Sequence, residues 1–217
     1  MTEDSSWLGN LYLIGGSPCS GKTTITNQIA ETYGFSTYRC DDAYFEHAKE
    51  LTAEQPVFSW IFGAASETIW TRPVPQQIEE ELAIYREEFP YIVRDLRYLA
   101  QSGPVIAEGA ALLPSLVATL GIASHRAIWI VPTEEFQRYH YGQRDWRHDV
   151  VKDCSNPERA WENWMARDAG FARRVAAEAR DHAFALITTD GSASIETNLA
   201  IVERHFGLWN RSSFSRH

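Results

Sequence analysis

Short apolar runs that end in glycine or in charged residues alternate with segments of helical period along this chain. Leu11, Tyr12, Leu13 and Ile14 form the first run, which closes at Gly15 and Gly16 and reads as a buried strand. A helix is expected from about Lys22, with Ile25, Ile29 and Tyr33 on one face and Gly34 as its stop. Residues 36–40 read as a second strand ending at Asp41 and Asp42. Residues 104–107 read as a third, ending at Glu108 and Gly109, and 127–131 as a fourth. A charged helix is expected from about Thr133 and a long one over 156–181. A fifth strand at 184–188 and a last helix at 194–206 complete the order.

The runs are near-continuous rather than alternating, which marks strands buried on both faces. Strands and helices in strict alternation predict a parallel sheet with helices on each side. The expected architecture is a single α/β domain over 1–217, a three-layer sandwich around a five-stranded parallel sheet. A helical insertion is expected at about 46–101, and a mobile lid segment at about 133–165. Within the insertion Pro56, Pro73, Pro75 and Pro90 are expected to break the helices into pieces. Residues 210–217 read as a frayed tail.

Size and composition narrow the function classes. The chain has 217 residues, and its 44% hydrophobic and 23% charged residues suit one well-buried globular domain. Acids outnumber bases 29 to 20, and no basic run exceeds a pair, which argues against a nucleic-acid backbone as partner. No apolar stretch approaches a membrane span, and the polar start of the chain lacks the pattern of a signal peptide. Cys19, Cys40 and Cys154 show neither metal-ligand spacing nor a disulfide framework, which fits a reducing cytoplasm.

The strongest local signal is Gly16, Ser17, Pro18, Cys19, Ser20, Gly21, Lys22 and Thr23, which match G-x-x-x-x-G-K-[ST] between an expected strand and an expected helix. In such a loop the backbone N–H groups turn inward onto phosphate oxygens. The helix that follows presents its positive end to the same anion. Lys22 would reach the β- and γ-phosphates of ATP, Thr23 would bind Mg²⁺, and Thr24 would complete the nucleotide contacts. Asp41 and Asp42 would sit at the carboxyl edge of the sheet, where ligands of open parallel sheets collect. A carboxylate there can take the proton of an acceptor hydroxyl. Glu108 would hold Mg²⁺ beside Thr23 and face the acceptor.

Arg138, Arg144 and Arg147 follow the fourth strand, where closing arginines can stabilise a transferring phosphoryl group. Arg144 is the first choice among them. Arg167, Arg173 and Arg174 lie on the next helix, and most of the six are expected to be surface groups paired with acids. Phe58, Trp60, Phe62 and Trp70 crowd around Arg72, as packing or as walls for an acceptor. Thr189, Asp190, Gly191 and Ser192 form a turn that either lies near the nucleotide base or serves as a cap.

These places resemble the small-molecule P-loop kinases, especially uridine kinases and nicotinamide riboside kinases, and also chloramphenicol phosphotransferase and zeta-toxin kinases. Asp42, Ala43, Tyr44 and Phe45 are similar to the Asp and aromatic pair of that group, and Glu108 and Gly109 to its Glu-Gly. Gln143, Arg144 and Asp145 resemble its lid. The resemblance implies Asp42 as the acceptor base and a cytoplasmic, ATP- and Mg²⁺-dependent phosphotransferase, a monomer or homodimer acting on a hydroxyl of a small molecule. It does not cover 46–101. Two alternatives stand beside it: a nucleotide kinase using Arg72, Arg94 and Arg97 for a phosphate acceptor, and a P-loop ATPase switch.

Overall fold

The computed structural model describes residues 5–208; the first four residues and the tail expected at 210–217 lie outside them. Five strands, β1 Leu11–Gly16, β2 Ser36–Arg39, β3 Val105–Gly109, β4 Ala127–Pro132 and β5 Ala185–Thr189, form one sheet. All are parallel, in the order β2-β3-β1-β4-β5. β1 is therefore central, and the loop that leaves it emerges from the middle of the sheet.

Alternate residues of the strands feed two cores. Leu11, Leu13, Val105, Ala107 and Trp129 face one side, and Tyr12, Ile14, Ile106, Ile128 and Ile130 face the other. The second side is covered by α1 Lys22–Tyr33 through Ile25 and Ile29, and by α10 Ile195–His205 through Val202. The first is covered by α5 Val74–Leu99, α6 Pro114–Thr119 and α9 Pro157–Asp181. This is the three-layer α/β sandwich that the alternating runs predict.

The insertion is wholly helical: α2 Cys40–His47, α3 Pro56–Phe62, α4 Ser66–Trp70 and α5. Pro56 opens α3, while Pro73 and Pro75 lie at the start of α5, positions where a missing N–H costs nothing. Pro90 corrects the expectation of a break, because α5 runs through it. Pro90 is exposed, so the Arg86 carbonyl that loses its intrahelical donor lies on the solvent side. The buried Phe89, Ile92 and Leu96 hold the helix in place on either side of it.

A second correction concerns β2, which ends at Arg39 rather than Cys40, so that Asp41 and Asp42 belong to the first turn of α2. Acids stabilise a helix there by facing its positive end. The segment after β4 contains α7 Glu134–Gly142, α8 Arg147–Val151 and the start of α9. Thr133 caps α7 and Asn156 caps α9, each accepting from the N–H three residues on. Trp164, Tyr141, Met165, Val151 and Trp70 form a third apolar cluster that ties this segment to α4. Trp164 therefore serves packing. No helix among the described residues is long and apolar enough to cross a membrane.

Candidate active site

The phosphate loop closes tightly on the sheet. A Cβ on Gly16 would lie 1.9 Å from the Ile130 carbonyl oxygen, so only glycine lets the chain turn away from β4 there. Ser17 N–H donates to that same oxygen at 3.3 Å. Cys19 adopts a left-handed φ of 63°, a conformation unfavourable for a residue with a side chain and concentrated at functional turns. Gly21 then leads into α1. Lys22 is buried, and its Nζ donates to the Ser17 carbonyl at 2.7 Å across the curl of the loop. Burial pulls the Lys22 ammonium pKa down, and the neighbouring Glu108 and Asp41 carboxylates oppose that pull.

Strand register brings Glu108 to this loop. Glu108 pairs with Ile14 on β1 and with Arg39 on β2, so its side chain sits at the loop's base. The Thr23 hydroxyl donates to Glu108 Oε1 at 2.8 Å. The two oxygens expected to share a magnesium ion are thus neighbours, as hard-cation ligands of this kind need to be. Among the described residues no three His, Cys, Asp or Glu side chains converge on a metal position. A magnesium ion held by one or two protein oxygens takes the rest of its shell from phosphate and water.

Gly109 allows the next approach. A Cβ there would meet the Cys40 Cβ at 2.4 Å, so its absence lets the start of α2 close on the end of β3. This brings Asp41 within electrostatic reach of Lys22. Burial raises the Asp41 carboxyl pKa, Lys22 lowers it, and Glu81 and Asp42 add to the rise. The Asp41 carboxylate has no hydrogen-bond partner among the described residues. Asp42 turns outward, with 74% of its side chain exposed, 3.9 Å from Arg39.

Two cavities adjoin these elements. One, of about 400 Å³, is lined by Cys19, Gly21, Thr24, Phe136, Arg144 and Asn198 and extends to Thr189, Ala193 and Ile195. It lies where a nucleoside joined to phosphates in the loop would extend. Thr189 contributes to it, while Asp190 closes the exposed turn by accepting from Ser192 N–H at 2.9 Å, and Ser194 caps α10. The second cavity, of about 350 Å³, has Asp41 and Cys40 at one side and a stripe of α5 at another, with Trp70, Arg72 and Arg167 completing the polar and aromatic wall. Asp41 lines it and Asp42 does not.

The expected arginines separate. Arg144 lines the first cavity and lies 5.1 Å and 5.3 Å from the ring centres of Tyr141 and Trp146. Arg138 is paired with Glu134 and Glu162 on the outer surface. Arg147 stacks on Trp161 at 5.1 Å beside a separate surface depression. Arg173 and Arg174 are paired with Glu134, Glu79 and Glu178. Only Arg144 of the three first-choice arginines therefore reaches the site in this arrangement. Arg72 reaches the second cavity, paired with Glu80 at 2.6 Å and stacked over Trp60 at 4.4 Å. Arg167 reaches it too, held by Glu81 and Asp168.

Residues of α5 that sequence reasoning passed over carry much of the second cavity. Gln77, Glu81, Ile84 and Glu88 fall on one helical stripe facing it. The signal was available: Gln77 and Glu88 are polar residues at buried positions of an otherwise apolar period. Glu88 Oε1 lies 2.8 Å from His47 Nδ1, and His47 Nε2 lies 2.9 Å from Asp95 Oδ2. His47 stacks on Tyr91. Burial lowers the His47 pKa, but the hydrogen bonds and charges of Glu88 and Asp95 outweigh it and leave the value raised.

No protein-family model matches the chain, and no curated protein matches it. Among solved structures it is similar to a protein from Chloroflexus aurantiacus J-10-fl described as a putative kinase, at 16% identity over 90% of this chain and 98% of that one, with a TM-score of 0.39. It is also similar to shikimate kinase from Acinetobacter baumannii in complex with shikimate, at 17% identity over 98% and 99%, with a TM-score of 0.41. Likenesses of this size carry no weight beside the chain's own geometry. That geometry, a G-x-x-x-x-G-K-[ST] loop between the central strand and α1 of a five-stranded parallel sandwich, is the P-loop α/β fold.

Proposed function

We propose that this chain is an ATP- and Mg²⁺-dependent kinase that transfers the γ-phosphate to a hydroxyl group of a small molecule. The observation that carries the reading is the position of Asp41. It lines a partly apolar cavity open to solvent and feels the charge of the phosphate-loop lysine. A carboxylate between a phosphate cradle and a second cavity has the place of a proton acceptor for an attacking hydroxyl. This moves the role from Asp42, which the family resemblance favours, to its neighbour.

In this reading the loop N–H groups and Lys22 hold the phosphate chain, and the first cavity takes the nucleoside. Thr23 and Glu108 would hold Mg²⁺, which would supply positive charge to offset that of the phosphates. Asp41 orients the acceptor hydroxyl and receives its proton. Arg144 is the lid cation nearest the phosphates. Most of the catalytic gain comes from positioning and charge stabilisation.

The phosphate-acceptor alternative loses support from the same cavity. Of the three arginines it calls on, Arg72 lines the cavity, while Arg94 is bound to Glu50 and Asp95, Arg97 stacks on Trp7 at 5.4 Å, and neither of these two lines it. The test is ADP formation by the purified chain with MgATP against nucleosides, vitamins, sugars and hydroxylated antibiotics, with Lys22→Ala as control. Acceptor-dependent turnover that disappears in Lys22→Ala supports the reading. Slow hydrolysis indifferent to every acceptor would sink it and leave the switch reading in its place.

A further inference from the structure

The aromatic residues of the insertion divide by exposure. Phe58 is buried, and Tyr44 stacks on it with ring centres 4.6 Å apart. Phe45 and Phe62 are 61% and 48% exposed and meet edge to face at 6.3 Å. Trp60 is 46% exposed and carries the Arg72 guanidinium. Among the described residues the other large exposed hydrophobics, Tyr98, Tyr139, Trp146 and Ile201, lie far along the chain from this group.

These rings continue the wall of the second cavity. Phe45 both lines the cavity and stands in solvent, which puts it at the mouth. Phe62 follows the lining residue Ile61 in α3 and touches the rings of Phe45 and Tyr44. The apolar wall of Phe45, Ile61, Ile69, Trp70 and Ile84 therefore runs outward onto the surface. Adjoining rings left in water gain nothing from burial, and a set of them marks a place that a ligand or partner covers. Continuity with the cavity favours the ligand, because the outer part of a molecule seated there lies against them.

The polar groups make a different demand. Glu80 is held by Arg72, Glu81 by Arg167 and Glu88 by His47. The Asp41 carboxylate has no hydrogen-bond partner among the described residues, and Gln77 Oε1 and Arg167 Nε are buried without a hydrogen bond. Acceptors and a donor are both left over, so the inner end suits a polar group without fixing its charge. The cavity, of about 350 Å³, is at the small end of ligand sites, and the rest of a larger molecule would emerge at the mouth.

We infer that the acceptor is an amphiphilic alcohol, whose hydroxylated end lies inside against Asp41 and whose aromatic or branched aliphatic body lies over Phe45 and Phe62. The inference rests on the hydroxyl-kinase reading above and adds to it the apolar part of the acceptor.

The test compares acceptors that share a hydroxylated end and differ in the body. The full chain with MgATP is assayed with glycerol beside its phenyl ether and methyl glucoside beside phenyl glucoside, together with the wider panel. The best acceptor of the whole set is expected to carry an apolar body. In any pair that turns over, the phenyl member is expected to exceed its partner about tenfold or more in kcat/KM. With the best acceptor, Phe45→Ser and Phe62→Ser combined should raise KM about tenfold and leave kcat in place, the mark of lost binding rather than lost chemistry. An unchanged Kd for MgATP confirms that the variant is folded. Sedimentation of both proteins at the assay concentration tests the rival occupant, a second copy of the chain. A wild type that self-associates, with a variant that is monomeric and keeps its acceptor KM, overturns the inference. A best acceptor without an apolar body, or a KM that the double variant does not move, overturns it as well. Each of these leaves the kinase reading intact. Absence of turnover with every acceptor removes the kinase reading, and the inference falls with it.

Discussion

Thr23 and Glu108, 85 residues apart in the chain, are joined by a hydrogen bond of 2.8 Å at the base of the phosphate loop. Parallel pairing of β1 with β3 sets that distance, since the register places Glu108 beside Ile14. Loss of either oxygen should weaken magnesium binding while leaving the loop's hold on the phosphates. In Glu108→Gln and Thr23→Val, the Mg²⁺ concentration for half-maximal turnover should rise about 10-fold to 100-fold. An unchanged Mg²⁺ requirement in both variants would remove these two residues from the metal site.

Asp41 and Asp42 are both exposed neighbours, and of the two only Asp41 lines the cavity. Asp41→Asn should lower acceptor-dependent kcat about 10²-fold to 10⁴-fold, the range of a general base, and Asp42→Asn should change it by no more than a few-fold. Partial desolvation at the cavity wall raises the Asp41 carboxyl pKa against the pull of Lys22. The wild-type rate should therefore fall as pH drops through that raised value, because the base becomes protonated. If Asp42→Asn proves the more damaging, the assignment reverses.

His47 links stability to pH through Glu88 and Asp95, between which it is held. Its folded pKa lies above the unfolded value of about 6.5. The stabilisation is thus fully present below that value and is lost as pH rises through the folded pKa. His47→Gln should cost about 3 kcal/mol near pH 6, since it leaves Glu88 buried without its cation. The gap between wild type and variant should narrow toward pH 9 in thermal or denaturant melts. A gap constant with pH would show that His47 does not change its charge in this range.

Cys19 is the half-buried cysteine of the three, and it lies in the phosphate loop, whereas Cys40 and Cys154 are buried. Burial raises its thiol pKa against the pull of Arg144. Alkylation should be slow at neutral pH and should accelerate as pH rises. MgATP should slow it further by covering the loop. Equal rates with and without MgATP would place the nucleotide elsewhere.

The phosphate loop was legible because its signature is local. A phosphate loop needs glycines, a lysine and a hydroxyl at fixed spacing, and these stand together from Gly16 to Thr23. The strands were legible because burial on both faces leaves continuous apolar runs. The second cavity was not, because its polar groups come from α2, the turn between α4 and α5, α5 and α9 and meet only through tertiary packing. The choice between Asp41 and Asp42 turned on whether β2 ended at Arg39 or one residue later, and on the missing Cβ of Gly109 against Cys40. Pro90 misled because propensity weighs the proline alone, while the packing of Phe89, Ile92 and Leu96 weighs more.

Helix α5 carries two adjacent stripes, one toward the sheet through Leu82, Phe89, Ile92 and Leu96 and one toward the second cavity through Gln77, Glu81, Ile84 and Glu88. The obligations of folding and of recognition therefore fall on different letters of one continuous segment. Exchanges at the recognition letters can redraw which molecules are admitted without loosening the sandwich. Descendants of this chain could diverge in diet while keeping the same skeleton and the same nucleotide currency.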